Sequence, residues 1–257
     1  MIITRKHITI LGAGNVSTHL AKALQQAGFH IDCIFSRTQK SAAELASNLS
    51  CPCTTSVDNL PTTSDIYLFS VADEAIAHLA QSVGTRDALF IHTAGSISID
   101  VFANIVPCYG VMYPLQTFSK QRKIDVAEVP FFVEGNNAET EQVILSIAQS
   151  ISRNVRIANQ SMRKQLHLAA VFACNFSNHC YSLASDILTR HGLDFSLLLP
   201  LINETSSKVT ELSPRKAQTG PAIRHDENVM QQHLNLLSTD NEKKIYKIMS
   251  ESIQQQK

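Results

Sequence analysis

Short apolar runs alternate with amphipathic stretches through the first part of the chain. Runs at 8–11, 31–35, 66–71 and 88–91 have the length and composition of strands, and the intervening stretches 16–27, 41–48 and 74–82 repeat their apolar positions at helical spacing. Strands joined through helices pair in parallel, so this alternation predicts a parallel sheet covered by helices. Further strands at 109–112, 130–133 and 155–157, with a helix at 138–151, extend the pattern. From about Asn159 the alternation stops, and 162–190, 195–211, 228–237 and 242–252 all carry helical periodicity. The change of period marks a domain boundary at 158–160, with an α/β domain over 1–158 and an all-helical domain over 159–257. No linker rich in Pro, Gly or Ser separates them, which predicts close packing, and the polar residues 254–257 read as a frayed end.

Charge and cysteine content narrow the partners. Lys plus Arg and Asp plus Glu both number 22, so no overall field draws the chain to nucleic acid or an anionic membrane. The N-terminal residues lack an apolar signal core, which predicts a cytoplasmic protein. The apolar stretch 166–188 contains Asn175, His179 and Asp186, costly groups in hydrocarbon, so it is expected to be a buried helix and not a membrane span. The six cysteines show no paired CxxC spacing; reduced thiols are expected, with no structural zinc and no other metal site.

The first candidate chemistry is Gly12-Ala13-Gly14, placed between a strand and a helix with a second strand arriving within thirty residues. Gly12 permits the tight turn, and Gly14, Asn15 and Val16 open a helix whose unpaired N–H groups and dipole suit a pyrophosphate. The third glycine of the fingerprint is replaced by Ser17, small enough for close helix–strand packing. The second strand ends in Ser36-Arg37-Thr38, where enzymes using NAD usually place an acid for the ribose hydroxyls. A guanidinium and hydroxyls, followed by Lys40 and Ser41, suit a 2′-phosphate, which predicts NADP as cofactor; a solvated cationic loop is the competing reading. Val71, Ala72, Asp73 and Gly95 follow the next two strands, at the carboxyl edge where ligands of open α/β sheets bind. Asp73 is also expected to cap the helix at 74–82. His92 fits either a polar group satisfied at a strand end or a site residue.

These residues, with YPLQTF (113–118), HLAAVFACNF (167–176) and GPAIRHDENVMQQHL (220–234), resemble the Rossmann-like proteins that carry a DUF2520 C-terminal domain. The resemblance spans nearly the whole chain. It implies a Rossmann-type, mostly parallel sheet and a second all-helical domain like the C-terminal domain of 6-phosphogluconate dehydrogenase, which often dimerises. It also implies an NADP-dependent oxidoreductase akin to pyrroline-5-carboxylate reductase, ketopantoate reductase and the β-hydroxyacid dehydrogenases. The last group places a catalytic Lys four residues before an Asn; here Val171 holds that position before Asn175. His167, one turn further back on the same helix face, is then the candidate for proton transfer, and Asn175 the candidate to hold a substrate oxygen; a His and Asn bonded within a helical core is the alternative. Arg224, just before a helix capped by Asp226, could grip a substrate carboxylate or make a structural ion pair. Gln116 and Thr117 are weaker candidates for the same cleft, and His233 is expected to pack.

Two functions follow from this reading. The first is an enzyme transferring hydride between NADPH and a small, anionic carbonyl or imine compound, working as a homodimer through the several apolar faces of 166–188. The second is a protein that binds NADP(H) as a sensor or scaffold without turnover.

Overall fold

The computed structural model describes residues 6–256. Its single sheet has eight strands: β1 (His7–Leu11), β2 (His30–Phe35), β3 (Cys53–Thr54), β4 (Ile66–Phe69), β5 (Leu89–His92), β6 (Cys108–Pro114), β7 (Phe131–Gly135) and β8 (Val155–Ile157). They lie in the order β3-β2-β1-β4-β5-β6-β7-β8, parallel except at β6–β7. The first six strands are the Rossmann arrangement, and β7 and β8 extend it beyond an antiparallel hairpin-like pair. Strand β3 has only two residues, too short to leave a periodic signal.

Helices α1 (Asn15–Gln26), α2 (Gln39–Leu49), α3 (Asp73–Val83) and α4 (Ala138–Ile151) cover the sheet. Strand alternation divides the core between its faces. In β4, Ile66 and Leu68 pack with Leu20 and Leu24 of α1, Leu45 of α2 and Ile144 of α4, whereas Tyr67 and Phe69 pack with Ile76 and Leu79 of α3 and with Phe90 and Phe102. Because both faces are covered, the central strands read as continuous apolar runs.

After β8 the chain is helical: α5 (Gln160–Ala170), a π-helical segment (Val171–Phe176), α6 (Ser177–Arg190), α7 (Leu199–Glu211), α8 (Pro214–Ala217), α9 (Glu227–Leu236) and α10 (Asp240–Gln254). By its contacts the chain forms two compact units, 1–174 and 175–257, so α5 belongs to the first unit although the pattern changes before it. Among the described residues no helix is long and apolar enough to cross a membrane. The stretch 166–188 is not buried as expected: Leu168, Phe172 and Phe176 are all exposed.

Within the second unit, helix ends are set by local chemistry. The Asp226 carboxylate accepts from Val229 N–H at the start of α9, as its sequence position predicts. Thr239 and Glu242 form a reciprocal capping box on α10, and Glu242 also pairs with Arg190 at 2.8 Å. The backbone N–H of Thr239, then Arg190, holds the Glu242 carboxyl below its ordinary value. His233 Nδ1 bonds the Tyr246 hydroxyl at 2.9 Å, a packing role.

Candidate functional site

A groove of about 740 Å³ runs along the carboxyl ends of β1, β2, β4 and β5. It brings together Gly12, Ala13, Gly14, Asn15, Val16, Ser36, Arg37, Thr38, Val71, Ala72 and Asp73, with Ser41, Thr93 and Ala94. Gly12 adopts φ +119°, and a Cβ there would lie 2.1 Å from the Ser70 carbonyl oxygen, so both conformation and contact demand glycine. A Cβ on Gly14 would meet nothing within 4 Å; its absence leaves free the space beside the helix start. Ser17 is fully buried and donates its hydroxyl to Ser70 C=O at 3.2 Å, fastening α1 to the end of β4 where the fingerprint has its third glycine.

Of the three helices that begin at this groove, α2 has a side-chain cap and α1 and α3 do not. Helices α2, α4, α5, α9 and α10 each begin with a side chain accepting from a first-turn N–H. Helices α1 and α3 begin from Gly14 and Ala72, both extended, without such a cap. Their unpaired N–H groups and positive dipole ends therefore face the groove and suit an anion. Asp73 does not cap α3, contrary to the sequence expectation. It lies in the first turn, and its Oδ2 accepts from the Ser96 hydroxyl at 2.6 Å, which draws the carboxylate toward the loop after β5. At the far end of the groove Arg37 is exposed, with no hydrogen bond or ion pair among the described residues, while the Thr38 hydroxyl caps α2 and bonds Ser41 at 2.9 Å. A guanidinium, a hydroxyl pair and a helix start converge there.

Gly95 lies outside this lining and has another role. A Cβ on it would meet the Tyr113 ring at 2.8 Å, so its absence lets the ring pack flat over the loop. The Tyr113 hydroxyl is hydrogen-bonded to His167 Nδ1 at 3.1 Å, with the rings edge to face. Burial, and then the charge of Asp73, push the Tyr113 phenol above its ordinary value and keep it protonated. Because Asp73 also lines the groove, the Tyr113–His167 pair stands beside it.

What holds His167 there is Arg163, one turn earlier on α5. Its guanidinium is fully buried; Nη1 binds Glu134 of β7 and the Ala158 carbonyl (2.9 Å), and Nη2 binds the Ile97 carbonyl (3.2 Å). Gln160 adds a bond to the Ser96 carbonyl at 3.4 Å. These contacts dock α5 on the loop after β5, and breaking a buried pair of this kind costs about 3–5 kcal/mol. His92 lies under the same loop, fully buried. Its Nδ1 accepts from Ala94 N–H at 3.2 Å, and its Nε2 makes no hydrogen bond of good geometry among the described residues. Desolvation, reinforced by the charge of Arg163, lowers its pKa to about 3, against a small opposing effect of the Ser98 backbone, so it is a neutral brace of the loop.

The three predicted catalytic residues are divided between the two units. His167 lies in the first; Asn175 and Arg224 lie in the second, both exposed, and Arg224 forms no ion pair among the described residues. The π-helical segment after Ala170 also alters the helical register on which a shared face of residues 167, 171 and 175 was argued. Gln116 accepts from Thr117 N–H at 2.7 Å and, like Thr117, does not line the groove. Tyr113 and Arg163 carry no expectation from sequence pattern, although Tyr113 opens the YPLQTF motif.

The fold is Rossmann-like, with a groove at the carboxyl ends of its strands and a helical C-terminal region. Residues 7–103 match the family described as NADP oxidoreductase coenzyme F420-dependent, and residues 129–253 match a domain of unknown function, DUF2520. A protein from Bacteroides fragilis, provisionally named an NADP oxidoreductase, is 46% identical with a TM-score of 0.95, the match covering 98% of this chain and 99% of the other. The chain belongs to the family of Rossmann-like NADP oxidoreductases that carry a DUF2520 C-terminal domain. More distant structures share the fold. A 1-pyrroline-5-carboxylate reductase from Streptococcus pyogenes is 14% identical (TM-score 0.66, covering 98% of this chain and 99% of that one). An imine reductase from Myxococcus stipitatus, solved in complex with NADP+, is 17% identical (TM-score 0.63, covering 96% and 91%). No curated protein matches the sequence.

Proposed function

We propose that the protein is an NADP(H)-dependent reductase of a small carbonyl or imine compound, with Tyr113 and His167 handling the proton. The observation that carries this reading is the Tyr113–His167 hydrogen bond beside a groove that fits a dinucleotide along its length. The fit rests on the uncapped starts of α1 and α3 for a pyrophosphate, the open space at Gly14, and the exposed Arg37 for a 2′-phosphate. When bound, NADPH supplies the hydride. Reduction of a carbonyl or imine then leaves a basic oxygen or nitrogen that needs a proton. Tyr113, held neutral, presents its O–H at the loop after β5, and exposed His167 replaces that proton from solvent through Nδ1. The named activities of the pyrroline-5-carboxylate and imine reductases of the same fold are consistent with such a substrate class.

The same reading includes a homodimer. Among the described residues of the second unit only Ala222 and Glu242 are buried, while Phe176, Leu197, Leu201, Leu236 and Ile248 are 50–73% exposed. A helical unit without a core of its own needs a permanent apolar partner, and a second copy is the partner always made with it.

The test is turnover of NADPH with a panel of keto acids and cyclic imines. Tyr113→Phe and His167→Ala are each expected to lower kcat by about 10²–10⁴-fold while leaving NADPH affinity unchanged. NADPH that binds but is consumed with no compound of the panel supports the sensor reading; undiminished turnover in both variants removes the proton role.

A further inference from the structure

At the edge of the sheet opposite the groove, three ligating side chains meet. His7 opens β1 and His30 opens β2, and the two are paired across the parallel ladder. The ladder then matches Ile8 with Ile31 and Thr9 with Cys33, so Asp32 is an extra, unpaired residue. Bulges are uncommon in parallel pairs and typically re-aim a side chain. Here the Asp32 carboxylate is aimed between the two imidazoles: Oδ1 is 2.6 Å from His7 Nδ1 and 3.6 Å from His30 Nε2. The three donor atoms all lie within 4.8 Å of one another.

The carboxylate is also fixed from behind. Asp32 Oδ2 accepts from the Ser64 hydroxyl at 2.5 Å, and Ser64 is in turn hydrogen-bonded to Thr9 at 2.8 Å, both hydroxyl residues being buried. A ligand oriented by such a hydrogen-bond chain is a feature of metal sites. Asp65 adds a second carboxylate nearby, its Oδ2 accepting from His7 N–H at 2.8 Å. Two imidazole nitrogens and a carboxylate oxygen are the donor set of zinc-class ions, with the remaining position open to water.

We propose that His7 Nδ1, His30 Nε2 and Asp32 Oδ1 form a binding site for a divalent transition-metal ion of the zinc class. Bonds of about 2.0–2.2 Å in tetrahedral geometry place ligand atoms roughly 3.3–3.5 Å apart. The His30 distance fits as it stands. The His7 bond must open by less than about 1 Å, which its exposed side chain allows. A bound ion would tie together the first residues of β1 and β2 and stabilise the folded state.

The experiment uses tag-free, chelator-treated full-length protein. Zinc chloride is titrated calorimetrically, and cobalt(II) chloride is followed by its visible absorption. One ion per chain is expected, with d–d bands but no thiolate charge-transfer band, and a rise in Tm on adding zinc. His7→Ala and His30→Ala, both at exposed positions, are expected to weaken binding by about tenfold or more without changing NADPH affinity. No binding by the wild type, equal binding by the His7→Ala/His30→Ala double variant, or a thiolate band from the free cysteines would each overturn the proposal.

Discussion

The Tyr113 hydroxyl owes its place to two other residues. Gly95 makes room for the ring and Arg163 fixes the helix that carries His167. Gly12, Arg37 and the loops after β4 and β5 were legible in the sequence, because their positions follow from the local succession strand, turn, helix. Tyr113, Arg163 and the role of Asp73 were not. Their partners lie 54, 29 and 23 residues away in the chain, and no local pattern encodes such contacts. His92 shows the same limit: its burial was not evident from a strand end, yet it makes a measurable prediction. Its folded pKa of about 3 lies below the ordinary 6.5, so in that window the unfolded chain holds a proton that the folded chain lacks. Stability attributable to His92 is therefore complete above the ordinary value and falls as pH drops, by up to roughly 1.4 kcal/mol per pH unit. Urea unfolding near neutrality and near pH ~5 should show a shallower loss in His92→Asn, whose amide can still accept from Ala94 N–H; equal losses would refute the assignment.

At the scale of elements, the sequence pattern carries the sheet further than the helices. Strands β1, β2, β4 and β5 announce themselves as apolar runs because helices bury them on both faces. Strand β3 is too short to register. The run 162–190 reads as one helix, but its i to i+4 bonding is interrupted by the π-helical segment Val171–Phe176, where apolar and polar residues alternate no differently from their surroundings. The starts of α1 and α3 show the converse: sequence placed a cap at Asp73, whereas the structure leaves both helix starts open at the groove and uses Asp73 to hold the loop after β5. The uncapped starts of α1 and α3 leave first-turn N–H groups at the groove, where they suit an anionic ligand.

For the whole molecule, exposed apolar surface sets the expected assembly. Leu168 and Phe172 in the first unit, at 54% and 63% exposure, continue the apolar character seen throughout the second. Sedimentation or light scattering should report twice the 28.3 kDa chain mass across a range of concentrations; a concentration-independent monomer would refute the dimer. The cofactor assignment is central, since hydride chemistry depends on it. The chain contains no Trp, so the emission of the nicotinamide itself is the clean signal for titrating NADPH and NADH into the wild type and Arg37→Ala. NADPH is expected to bind the wild type more tightly than NADH, and Arg37→Ala to lose about 1.5–3 kcal/mol, roughly 10- to 150-fold, toward NADPH with little change toward NADH. Equal wild-type affinities for the two nucleotides, or an NADPH affinity that Arg37→Ala leaves intact, would contradict it.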